Sequence, residues 1–183
     1  MDYKIKRTGR TLAAEGAVLA FYKDDMVLKD GSTAVWDFVH HKKGGGAAVV
    51  PVLPDGQILL VRQYRSSVER EMLELPAGAK DFENEDPKAA AARELLEETG
   101  YEAGKMTFLT RVKSAPAWCD EETTVFLAEE LVKKSGQHLD AAEEIRFEAH
   151  PLGELLDLIF SGKMEDAKTV AGITAYAALK GRG

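Results

Sequence analysis

The stretch from Glu85 to Tyr101 constrains this chain more than any other. It reads Glu-Asp-Pro-Lys-Ala-Ala-Ala-Ala-Arg-Glu-Leu-Leu-Glu-Glu-Thr-Gly-Tyr. Asp86 stands where a helix N-cap belongs, and Pro87 suits the first helical position, where a missing amide costs nothing. Four alanines raise helix propensity. Gly100 supplies the left-handed residue on which helices commonly end. A single bounded helix is therefore expected here, and what lies on both sides of it reads as strand.

Ahead of the helix, Ala17–Tyr22 and Ala34–Val39 are extended candidates. Asp24-Asp25 and Asp30-Gly31 read as turns, the second able to join a hairpin through Ser32. Gly44-Gly45-Gly46 punctuates the chain. The apolar run Ala47–Leu53 follows, typical of a buried strand. Pro54-Asp55-Gly56-Gln57 is a turn signal, and Ile58–Tyr64 and Glu71–Leu75 return as strands. Beyond the helix come Thr107–Val112, Thr123–Ala128 and Ile145–Ala149, then two helices over Leu152–Phe160 and Ala167–Leu179, the last with Asp166 as N-cap. This order predicts an α/β (α+β) fold: a mixed β-sheet sandwiched between helices. Residues 1–42 form an N-terminal β extension and residues 43–183 the main domain.

Charge and cysteine content exclude several classes. With 24 basic and 31 acidic residues, the chain carries a net charge of −7. It has no basic stripe of the kind that holds nucleic acid. An anionic substrate must be met by local groups or by a metal. One cysteine, Cys119, rules out an intrachain disulfide and fits a reducing compartment. The N-terminal residues lack an apolar signal core, and no stretch approaches a membrane span. The expectation is a cytoplasmic protein without membrane or nucleic-acid partners. Cys119 lies beside Asp120 and Glu121, which disfavour a thiolate. His40, His41, His138 and His150 show no metal-ligand spacing.

At about 100° per residue, Glu97 and Glu98 fall at about −60° and +40° from Glu94, so the three carboxylates share one face. Ala92, Leu95 and Leu96 lie on the opposite side, which is expected to dock on the sheet. Such a face is either a solvated acidic surface or a site for a hard cation such as Mg²⁺ or Mn²⁺.

The flanks bear on that choice. Gly78, Glu85 and the run Arg93-Glu94-Leu95-Leu96-Glu97-Glu98-Thr99-Gly100-Tyr101 resemble the Nudix box of the Nudix hydrolase family. Seven residues separate Glu85 from Arg93, as in the family pattern; six separate Gly78 from Glu85, one more than usual. The resemblance implies a Nudix fold and attack on a diphosphate linkage. It implies Glu94, Glu97 and Glu98 as Mg²⁺ ligands (Mn²⁺ substituting), with the carbonyl of Ala77 as a further ligand. Glu85 and Arg93 would form a structural ion pair, and Gly78 would let the backbone approach the metal.

Within that family the chain is similar to the ADP-ribose pyrophosphatase branch. Gln63-Tyr64-Arg65 and Glu74-Leu75-Pro76-Ala77-Gly78 carry this likeness, as does Pro116, fifteen positions beyond Tyr101. The resemblance gives Arg65 a phosphate contact, although an ion pair with Glu69 or Glu74 is the competing reading. Trp118 matches an aromatic that follows the marker proline. Trp36 matches one that stacks on adenine in dimeric relatives; a core or interface role is its alternative. The run Gly162–Thr169 resembles a family segment, read here as capping the last helix. The branch places its general base on a loop before the last strand, which makes Glu143 the candidate, with Glu144, Asp140 and then Glu97 as alternatives.

The expected function is Mg²⁺-dependent hydrolysis of ADP-ribose to AMP and ribose 5-phosphate by a homodimer. The rivals are hydrolysis of a GDP- or UDP-hexose and a non-catalytic ADP-ribose-binding module.

Overall fold

The computed structural model describes residues 4–139 and 144–181. Ten strands and three helices build it: β1 Lys6–Glu15, β2 Leu19–Val27, β3 Thr33–His41, β4 Gly45–Pro51, β5 Ile58–Arg65, β6 Arg70–Glu74, β7 Ala77–Ala79, α1 Pro87–Thr99, β8 Tyr101–Lys113, β9 Glu122–Lys133, β10 Ile145–His150, α2 Leu152–Phe160 and α3 Ala167–Lys180.

The strands form three sheets. The central one has the order β7-β4-β9-β8. Its β4 and β9 run parallel, and the other pairs run antiparallel. β4 is buried on both faces, as the apolar run predicts for an inner strand of a covered sheet. Alternation along β4 and β9 splits the core into two layers. Ala48, Val50, Val125 and Leu127 meet Leu155 of α2 and Ile173 and Tyr176 of α3. Ala47 and Phe126 meet Ala90 and Ala91 of α1, while Val49 and Ala128 meet Leu95. The sheet is thus sandwiched between helices.

The second sheet, β10-β5-β6, is antiparallel. The third, β1-β2-β3, holds the N-terminal extension. It is tied to the body through the loop after β8. Val39 donates its N–H to the Trp118 carbonyl (2.7 Å), and the Asp120 carboxylate accepts from His40 Nδ1 (2.7 Å) and the His41 N–H (2.9 Å).

Three elements depart from expectation. β1 had no apolar alternation to reveal it, because nearly all of it is exposed. β7 is three small residues, too short for any periodicity. Asp24-Asp25 is not a turn but lies inside β2, where Asp24 is buried and accepts two hydrogen bonds from Arg10 on β1, at 2.6 and 2.7 Å. A neighbouring strand supplied the cation that makes an in-strand aspartate tolerable.

Candidate active site

α1 forms as its sequence dictates. Asp86 accepts from the Lys88 N–H at 3.0 Å, and Gly100 closes the helix at φ 71° with its N–H on the Leu96 carbonyl. The buried side, however, is not Ala92-Leu95-Leu96. Ala92 is exposed and Leu96 half-buried, whereas Ala90, Ala91, Leu95, Glu98 and Thr99 are buried. The helix is rolled toward its acidic face. The reason is local: Glu98 finds a partner in the sheet edge, its Oε2 accepting the Ala77 N–H at 3.0 Å. A carboxylate bonded to a backbone amide can be buried where an unpaired one could not.

Glu94 and Glu97 stay at the rim and converge on Arg93, whose Nη1 lies 2.7 Å from Glu94 Oε1 and 3.3 Å from Glu97 Oε2. The same guanidinium stands 3.6 Å from Glu85 Oε2 and donates to the Ala79 carbonyl at 3.2 Å. Its buried Nε is 3.4 Å from Asp81 Oδ2, too poorly aligned to count as a hydrogen bond. Burial works against the Arg93 charge, but the surrounding carboxylates, Glu94 foremost, outweigh it and raise its pKa. Glu85 in turn accepts the Asp81 N–H at 2.6 Å. Gly78 touches this cluster: a Cβ there would collide with the Glu94 carboxylate.

A cleft of about 500 Å³ opens beside Ala77, Gly78 and Ala79. Arg65, Glu74, Asp166 and Lys168 also line it. Arg65 grips Glu74 in bidentate fashion, Nε and Nη2 each donating at 2.7 Å, and Lys168 bonds the same carboxylate and Asp166. Glu74 is nearly fully buried. Burial pushes its carboxyl up, and Arg65 with Lys168 more than offsets this, so its pKa lies below the ordinary value. Arg65 therefore makes an ion pair with Glu74, the competing reading of the sequence, and also lines the cleft. The sequence points to Lys168 only as part of a helix-capping run. Capping is indeed present, with Asp166 accepting from the Thr169 N–H at 3.0 Å. The cleft also contains His41, Glu121 and Thr123, which no periodicity or motif singled out.

The remaining expected site residues lie elsewhere. Glu85, Arg93, Glu94, Glu97 and Glu98 do not themselves line this cleft, and neither do Trp36 on β3, Pro116 and Trp118, which are exposed. Glu143 and Asp140 fall outside the described residues, while Glu144 is exposed.

In donor chemistry the α1 cluster fits a hard divalent cation: carboxylate oxygens on one helix face, two of them already gathered by one positive nitrogen. Among the described residues, no three His, Cys, Asp or Glu side chains are arranged as they stand to hold a metal ion. Nor is any described helix long and apolar enough to cross a membrane.

A carboxylate-bearing helix thus stands behind a strand that lines a cleft of charged side chains. The chain belongs to the Nudix hydrolase family: residues 42–172 match the NUDIX domain. It is 38% identical over 176 residues to an ADP-ribose pyrophosphatase of Bacillus subtilis (strain 168), covering 93% of each chain. It is 31% identical over 167 residues to an ADP-ribose pyrophosphatase of Mycobacterium tuberculosis (strain ATCC 25618 / H37Rv), covering 90% of this chain and 79% of that one. The fold is shared with a crystal structure of an ADP compounds hydrolase, with a TM-score of 0.84 and 24% identity, covering 98% and 96% of the two chains. Enzymes of this family generally use divalent metal ions.

Proposed function

We propose that this enzyme hydrolyses the pyrophosphate of ADP-ribose to AMP and ribose 5-phosphate with Mg²⁺, Mn²⁺ substituting. The observation that carries the reading is that Ala77 and Gly78 touch the α1 carboxylates, Ala77 through its N–H on Glu98 and Gly78 against Glu94, and also line the cleft that holds Arg65 and Lys168. The likeness to the Bacillus and Mycobacterium ADP-ribose pyrophosphatases supports the choice of substrate.

In this reading Glu94, Glu97 and Glu98 hold the cation, aided by the Ala77 carbonyl. When bound, it neutralises the phosphate oxygens and makes water a better nucleophile. Arg65, which lines the cleft, meets a phosphate. Glu85 and Arg93 fix the loop that carries Gly78. Glu143 is the proposed general base, and Glu143→Gln then lowers kcat by about 10²–10⁴-fold with little change in KM. Residues 1–42 serve dimerisation and substrate contact, with Trp36 stacking on the base and Trp118 beside Pro116 completing that side. Exposed Leu12, Val18, Leu19 and Val35 in the extension support a homodimer, and the single cysteine supports a cytoplasmic setting.

The test is turnover of a panel containing ADP-ribose, GDP-hexoses and UDP-hexoses with Mg²⁺, the products resolved by chromatography. ADP-ribose is expected to give AMP with the highest kcat/KM. Preference for a GDP- or UDP-hexose would replace the substrate assignment, and binding without turnover would replace the reaction.

A further inference from the structure

The last four carbonyls of a helix lack partners within it. In α1 this matters more than usual. The negative end of its dipole coincides with Glu97 and Glu98, and its last turn holds no basic residue. The Gly100 N–H meets the Leu96 carbonyl, and one segment, at the end of β9 and just beyond, satisfies the rest. Lys133 Nζ donates to the Thr99 carbonyl at 2.6 Å, and the His138 N–H to that of Glu97 at 2.8 Å. The Lys134 and Ser135 N–H groups reach the Gly100 carbonyl at 2.9 and 3.3 Å.

Gln137 does something the others do not. Its half-buried side-chain amide donates to the Glu98 carbonyl at 2.6 Å and to the Ile145 carbonyl at 3.1 Å. Ile145 begins β10 and pairs with Gln63 of β5, two residues before Arg65. The two halves of the site stand on different sheets: Ala77 and Gly78 belong to β7 of the central sheet, Arg65 and Glu74 to β5 and β6 of the second. One amide thus spans from the carboxylate helix to the sheet that carries Arg65.

We infer that Gln137 is a positioning residue that braces Glu98 against the β10-β5-β6 sheet and so fixes the carboxylates of α1 relative to Arg65. The Ala77 N–H then holds the Glu98 carboxylate while Gln137 holds its carbonyl. This rests on the reading of Glu94, Glu97 and Glu98 as cation ligands.

The experiment measures Mn²⁺ binding by electron paramagnetic resonance without substrate, then kcat, KM and Tm. Gln137→Met keeps the side-chain length and removes both donors. It is expected to weaken Mn²⁺ binding and lower kcat, each by about 10-fold, the lower end of what loss of a group behind a metal ligand costs, with KM within about twofold. Gln137→Asn, too short to span both carbonyls, should shift both in the same direction and serves if the Met variant does not fold. Lys133→Met removes a cap of the same helix that does not touch Glu98, together with the Lys133 Nζ contact over the Phe147 ring of β10 at 4.8 Å, so it should lower Tm and leave Mn²⁺ binding intact. Equal weakening by Lys133→Met, or a Gln137→Met protein that only melts earlier, would overturn the brace. Glu98→Gln, measured in parallel, separates the failures. Unchanged Mn²⁺ binding there removes the site reading itself, whereas weakening there but not at Gln137 removes only the brace.

Discussion

Glu74 and the α1 carboxylates flank the same short strand, yet their charge is resolved in opposite ways. Glu74 is one buried carboxylate facing two cations, Arg65 and Lys168. Arg93 is one cation facing four carboxylates, Asp81, Glu85, Glu94 and Glu97. The first arrangement is compensated and holds fixed groups in place. The second concentrates negative charge at the surface, and like charges at helical spacing cost the helix about 0.2–0.5 kcal/mol per pair. A chain keeps such repulsion only where it serves something else, and a divalent cation relieves it. The Glu74 cluster is accordingly a stability centre, whereas the α1 cluster carries a stability cost that the proposed cation would offset.

The contrast is broken most directly at Glu98. Glu98→Gln retains an oxygen for the Ala77 N–H but loses a charge. Activity should fall by about 10²–10³-fold, as when one preorganised electrostatic contact is removed. Metal-free Tm should hold or rise because repulsion is relieved. Assays across a metal titration with parallel melting curves check both, and a large drop in metal-free Tm would place Glu98 with Glu74 instead.

Glu74→Gln should do the reverse. It leaves Arg65 and Lys168 without their shared partner and is expected to destabilise the protein by about 3 kcal/mol at pH 7, the lower range for breaking a buried pair. The sign follows from the lowered pKa. The Glu74 contribution is fully present above the unfolded value of about 4.3 and is lost as pH falls through the lower folded value. Urea melts of the two proteins should therefore converge in acid. A gap that persists or widens there would mean that packing, not charge, holds Glu74.

Gly78→Ala tests the junction between the two centres. Its Cβ meets the Glu94 carboxylate, which must swing aside. Turnover and metal activation are expected to drop by about 10-fold, with the Glu74 cluster undisturbed and the pH dependence of stability kept. Asp86→Ala should have the smallest effect. It removes the cap of the same helix far from its acidic turn, costing about 1 kcal/mol of stability with kcat unchanged. A loss of kcat there would show that the carboxylates depend on the whole helix and not on its last turn.

How much was legible in advance varies with the range of the forces involved. α1 was readable to its caps, because Asp86, Pro87 and Gly100 act on backbone groups within a few residues. β4 was readable because a run apolar at every position suits only a strand covered on both faces. β1 was not, since an exposed edge strand needs no pattern of its own. The acidic turn could be read as a cluster from periodicity alone, but which flank of the helix faces the sheet could not. Rotation by a few tens of degrees depends on Ala77, 21 positions away from Glu98, and on the small side chains of Ala90 and Ala91 against Ala47.

By itself, then, the sequence determined the helix, its ends, its carboxylate face and the family to which that pattern belongs, because all of these are fixed by spacing along one segment. Tertiary structure decided the burial of Glu98 and the sharing of Glu74 between Arg65 and Lys168, the latter across 94 positions. It also decided the span of Gln137 between a helix and a strand of another sheet. These contacts join groups that no local rule relates. Each is settled by which partner stands close enough to satisfy a charge or a carbonyl once the chain has closed around it.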